Sequence, residues 1–124
     1  MLDHVGFGVS DYERSKAFYE AALAPLGITL VMEPMSAAAG FGKDRKPFFW
    51  IESGRPAAGP VHVAFAVDDR ATVHAFHAAA LAAGGTDNGA PGLREIYHPD
   101  HYGAYVLDPD GNNVEAVCHA PQRS

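Results

Sequence analysis

From His4 the chain alternates, with Val5, Phe7 and Val9 on one side and His4, Gly6 and Gly8 on the other. That is the period of a strand with one buried face. A helical period follows. Phe18, Ala21 and Ala22 recur at helix spacing until Pro25 and Gly27 stop it, and Ser10 with Glu13 three residues on predicts a capping box at the start. Strand-like runs come next over 28–33, 37–41 and 47–52. The order then repeats: His62, Ala64 and Ala66 oppose Val63, Phe65 and Val67. Asp68 or Asp69 caps a second helix striped by Phe76, Ala79, Ala80 and Ala83, and Gly84-Gly85 ends it. Runs at about 86–90, 102–107 and 113–118 complete this half.

The two halves superpose without a gap. HVGFGVSDYERSKAFYEAALAPLG from His4 lies on HVAFAVDDRATVHAFHAAALAAGG from His62 at a constant offset of 58, with about half the positions identical. Similar alanine content explains the helical part of the match but not His-Val-x-Phe-x-Val. Two repeats are too few for a solenoid and must pair into one body. The expected class is therefore α+β: two tandem β-α-β-β-β modules forming a cupped mixed sheet with helices on the outer face. We expect one domain over 1–124, with module one at about 1–53, a Gly/Pro-rich connector at 54–60 and module two at about 61–119. Asp108-Pro109-Asp110-Gly111 predicts a turn joining the last two strands.

In each module a histidine is followed on its strand face only by small side chains, Gly6 and Gly8 after His4, Ala64 and Ala66 after His62. An imidazole beside small residues leaves volume above a sheet, which suits a ligand cavity. The other reading is that the small residues let two sheets approach closely. Imidazoles that hold a divalent ion need an anionic oxygen as well, and Glu115, flanked by Val114 and Ala116, is the candidate. A carboxylate in a half-buried strand is costly unless a cation or donor answers it. An arginine partner or an exposed edge would answer it too. Two histidines and one carboxylate leave coordination positions open, as a catalytic ion requires.

Composition narrows the partners. The 124 residues are 48% hydrophobic and 19% charged with a formal net charge of −6, an ordinary globular balance that disfavours nucleic acid and anionic membrane. No apolar run reaches spanning length. A single cysteine, Cys118, and a start without signal-peptide order lead us to expect a cytoplasmic protein. Cys118 falls on the strand face opposite Glu115 and reads as core. His74 and His77, three apart on the second helix, read as solvated.

With a His opening each module and DPDGNNVEA near the end, nearly the whole chain resembles the vicinal oxygen chelate superfamily. That superfamily groups glyoxalase I, fosfomycin-inactivating enzymes, extradiol dioxygenases, methylmalonyl-CoA epimerase and bleomycin-resistance proteins. The resemblance implies one divalent ion (Zn, Ni, Mn or Fe) held by His4, His62 and Glu115, and a small oxygen-rich substrate chelating it. It implies a lyase, isomerase or thiol transferase, the alternatives being a ring-cleaving dioxygenase or a non-catalytic drug- or metabolite-binding protein of bleomycin-resistance type. Short chains of this superfamily often complete their cup with a second copy, so a homodimer is expected, with each ion site inside one chain or shared between two.

Departures from the pattern refine this. Glyoxalase I carries a further ligand in the last strand of its first module, where this chain has Trp50; Glu52 shares that face but lies about 7 Å further along. Both are candidate pocket residues. Tyr105 and the loop histidines His98 and His101 are candidate acid–base groups, and the 93–102 segment offers imidazole and phenol at the mouth of the cup. Arg94 is the only basic residue between Arg70 and Arg123, few for a phosphonate.

Overall fold

The computed structural model describes residues 1–35, 37–57 and 59–121. Module one supplies β1 (Val5–Gly8), α1 (Tyr12–Leu23), a 3-10 turn (Ala24–Leu26), β2 (Thr29–Met35), β3 (Ala38–Lys43) and β4 (Lys46–Glu52). Module two supplies β5 (His62–Ala66), α2 (Arg70–Ala82), β6 (Thr86–Leu93), β7 (Tyr102–Leu107) and β8 (Asn113–Cys118). The strands form two four-stranded mixed sheets of one topology, β1-β4-β3-β2 and β5-β8-β7-β6. The fold is α+β, as the repeat implies. The halves form separate sheets among the described residues rather than one continuous one. Each opening strand lies parallel to the last strand of its own module, with Gly6 opposite Trp50 and Ala64 opposite Glu115.

One hydrophobic core joins both sheets to the helices. Phe7, Val9, Phe41, Phe49 and Ile51 meet Phe18, Tyr19 and Leu23 of α1, while Val73, Phe76 and Ala80 of α2 face Val106, Val114, Ala116 and Cys118. Phe49 sits at the junction. Its ring centroid lies 4.9 Å from Tyr19, 5.4 Å from Phe65 and 5.6 Å from Phe7, mostly edge-on, the geometry that aromatic quadrupoles favour. Cys118 is buried on the core face, as strand alternation requires.

The start of α1 departs from expectation. Asp11, not Ser10, is the cap and accepts from the Arg14 N–H at 3.2 Å. Ser10 is drawn away because its hydroxyl and its N–H both donate to the Asp110 carboxylate in the β7–β8 turn. Asp69 caps α2 through the Thr72 N–H at 2.7 Å. At the Asp108–Gly111 turn the Gly111 N–H donates to the Asp108 carbonyl at 2.9 Å, and Gly111 takes the left-handed φ of 85° that glycine adopts without penalty. The Asp108 carboxylate is buried and accepts from the Asp110 N–H, from the backbone and side-chain N–H groups of Asn112, and from the Tyr19 hydroxyl at 2.5 Å. This turn therefore locks module two onto α1.

Of the two α2 histidines, His74 is exposed as expected and His77 is not. His77 is mostly buried against Asp87 at 3.0 Å, and His74 bonds the Tyr102 hydroxyl at 2.7 Å, because α2 lies across β6 and β7. No helix of the described residues is long and apolar enough to cross a membrane.

Candidate metal and substrate site

Sheet register brings the second module's polar groups together. Ala64 on β5, Glu115 on β8 and Tyr105 on β7 are cross-strand partners in one row. Along β5 and β8 a diagonal step places His62 against Glu115, its Nε2 2.7 Å from Oε1. Oε2 of Glu115 lies 3.1 Å from His101 Nε2, and that nitrogen lies 3.0 Å from the Tyr105 hydroxyl. Glu115 is only 3% exposed. Two imidazoles thus answer the buried carboxylate, in place of an arginine or an open edge.

These groups line a cavity of about 600 Å³, open to solvent and shared with Arg94, Asn88, Asn113 and Tyr97. The 94–101 loop is folded on itself, with the Arg94 N–H on the His101 carbonyl at 2.6 Å and the His101 N–H on the His98 carbonyl at 3.0 Å. This aims His101 inward. His98 instead accepts the Asp100 N–H at Nδ1 and packs its ring against His119, outside the cavity lining.

Burial, reinforced by the negative charge of Glu115 and opposed by Arg94, pushes the Tyr105 phenol up to about 12. At neutral pH Tyr105 is therefore a proton donor and not a base. A phenol raised in the folded state stabilises the fold fully below its unfolded value near 10 and loses that contribution as pH rises toward about 12. In a phenolate absorbance titration, Tyr105→Phe is expected to remove one late-ionising phenol; an unchanged late phase would show that Tyr105 ionises normally.

His4 lies elsewhere. It shares a second recess of about 380 Å³ with Gly6, Trp50, Glu52 and Arg55. The volume expected over Gly8 is filled, whereas Gly6, like Ala64 and Ala66, stays exposed. A Cβ at Gly40 would lie 2.8 Å from the Trp50 indole, one at Gly6 3.0 Å from the Trp50 Cβ, and one at Gly8 2.6 Å from the Pro56 carbonyl of the connector. The glycines thus admit Trp50 and the connector. Glu52 is ion-paired with Arg55, and His4 Nδ1 contacts Asp3 at 2.8 Å.

Within one chain, then, His62 and Glu115 meet while His4 stands apart. Among the described residues no three His, Cys, Asp or Glu side chains of a single chain are grouped to hold an ion. The donor chemistry nonetheless fits a divalent ion. His62 Nε2 and Glu115 Oε1 are as close as neighbouring ligands on one ion, which sit about 3 Å apart when each bond is near 2.1 Å. The place of Arg94, Asn88 and Asn113 at the cavity was not legible in the sequence. The two glycines at 89 and 92 were its signal, since they clear space on a strand just before an isolated arginine.

This paired-sheet architecture agrees with the comparisons. The family model for the Glyoxalase/Bleomycin resistance protein/Dioxygenase superfamily matches residues 1–116, and the chain belongs to that family. A glyoxalase/bleomycin resistance protein from Albidiferax ferrireducens is 37% identical, with a TM-score of 0.81 over 98% of this chain and 99% of that one. A glyoxalase/bleomycin resistance protein/dioxygenase family enzyme from Burkholderia phytofirmans shares the fold at 21% identity and TM-score 0.71, covering 95% and 98%. A lactoylglutathione lyase from Agrobacterium tumefaciens does so at 20% identity and TM-score 0.69, covering 95% and 92%. The chain has no match among curated protein sequences.

Proposed function

We propose that the protein is a metal-dependent enzyme acting on a small oxygen-rich molecule, of lyase, isomerase or thiol-transferase type. The observation that carries this is the buried Glu115 carboxylate facing a cavity at ligand distance from the His62 imidazole. His62 and Glu115 would hold the ion together with His4. Because His4 occupies a separate recess of the same chain, His4 of a second copy completes the set, which makes the working unit a homodimer. When bound, the ion supplies Lewis acidity toward substrate oxygens.

The chain's own residues do the rest. Tyr105, held protonated, donates a hydrogen bond to a substrate oxygen that gains negative charge. His101, within 3.0 Å of that hydroxyl, takes up or returns the proton. Trp50 offers an apolar wall and Glu52 is held by Arg55, so the fourth-ligand carboxylate of glyoxalase I has no free counterpart here. We therefore expect weak or absent isomerisation of the methylglyoxal–glutathione adduct. Robust turnover that is lost in Glu52→Gln would overturn this reading of Trp50 and Glu52.

The test is metal analysis of the purified protein, followed by activity screening with that metal restored. Stoichiometric metal and turnover of an oxygenated or electrophilic compound are expected. Ligand binding with neither metal nor turnover would establish the binding-protein alternative. Sedimentation showing a monomer with its metal site filled would refute the shared site.

A further inference from the structure

Beside the Glu115 cluster the same cavity carries a permanently charged group with no task in the proposed chemistry. Arg94 follows β6, an edge strand whose register with β7 shifts at Gly89 and again before Gly92. Its guanidinium folds back over these irregularities. Nη2 donates to the Ala90 carbonyl at 2.8 Å, and the guanidinium carbon lies 5.3 Å from the centre of the Tyr105 ring. A Cβ at Gly92 would come within 2.8 Å of Nη1 and one at Gly89 within 3.2 Å of Nη2. The two glycines thus form a cradle in which the guanidinium lies.

The cradle fixes the guanidinium without neutralising it. Among the described residues no ion pair involves Arg94, in contrast to Lys16, Lys46 and Arg55. A guanidinium has five N–H donors, and the Ala90 carbonyl takes one. In a chain of net charge −6, an arginine held on an aromatic face at a cavity wall runs against the average field. Asn88 and Asn113 line the same cavity, joined by a bond from Asn88 Nδ2 to Asn113 Oδ1 at 3.3 Å, which leaves the Asn113 amide N–H groups for a ligand.

We infer that Arg94 anchors a carboxylate of the substrate, separate from the oxygens that face His62 and Glu115. The planar fork of a guanidinium matches a carboxylate in two parallel hydrogen bonds, and a single cation balances a single negative charge. The substrate class is then a small keto or hydroxy acid that spans the Tyr105 ring, its anionic end on Arg94 and its reacting oxygens toward Glu115. This rests on the metal-enzyme reading for the reacting end only.

The test is a nuclear magnetic resonance titration of the full chain with levulinate, its primary amide and inorganic phosphate. Levulinate is expected to shift the amides of Gly89, Gly92 and Tyr105 and to bind at least about tenfold more tightly than the neutral amide. Arg94→Gln should erase that ratio and Arg94→Lys retain part of it, both with native spectra elsewhere. An unchanged ratio in Arg94→Gln would overturn the inference, as would no binding of either anion. Phosphate binding more tightly than levulinate, and through Arg94, would overturn the carboxylate assignment. Metal uptake measured in the same samples separates the two proposals. Uptake without Arg94-dependent discrimination sinks only the carboxylate anchor, and discrimination without uptake sinks only the metal reading.

Discussion

Replacing His62 with Ala is expected to reduce divalent-metal uptake from stoichiometric to near zero while the fold stays intact. His62 is half exposed at the start of an edge strand, so truncating it removes little packing. Glu115 keeps the His101 imidazole as a partner at 3.1 Å, so no buried charge is orphaned. The thermal midpoint should therefore move by only a few degrees. His74→Ala is the control, since that imidazole bonds Tyr102 away from the cavity lining. Metal analysis after dialysis decides the matter, and full retention in the His62 variant would remove His62 as a ligand.

Phe49→Ala is expected to be the most destabilising single truncation. The ring is fully buried where Phe7, Tyr19, Phe41 and Phe65 converge, so it ties both modules and α1 into one core. Removing an aromatic ring from such a site costs about 3–5 kcal/mol, a large part of the about 5–15 kcal/mol that holds a domain together. Urea unfolding should show this as a lower midpoint, together with broadened signals from both sheets. A loss below about 1 kcal/mol would mean that the two modules are stabilised independently.

The repeat made the fold readable because period-2 and helical patterns were written twice at one offset. β7 and β8 match the expected 102–107 and 113–118, where alternation is clean and the Asp108–Gly111 turn marks the boundary. β6 runs on to Leu93, past the expected end near 90, because its glycines and Pro91 mask a strand that is irregular and lies at an edge. The Ser10 capping box gave way to Asp11 because a carboxylate from a turn 100 residues away claimed the serine. Local rules cannot weigh a competitor that arrives only on folding.

The candidate site divides in the same way. Glu115 was legible because a carboxylate inside an alternating strand is costly unless it is answered, and His62 because it repeats His4 beside small residues, while Tyr105 followed from the family resemblance. That His62 and Glu115 meet follows from parallel β5–β8 pairing, which only the tertiary structure shows. Which loop histidine enters the cavity was settled by the backbone bonds of the 94–101 loop, which choose His101 over His98. That the connector covers Gly8, that His4 stands apart from its expected partners, and that Arg94 reaches the cavity also depend on tertiary structure. Strand periodicity assigns a side chain to a face; only the packing of sheets, loops and glycine-cleared space decides what that face meets.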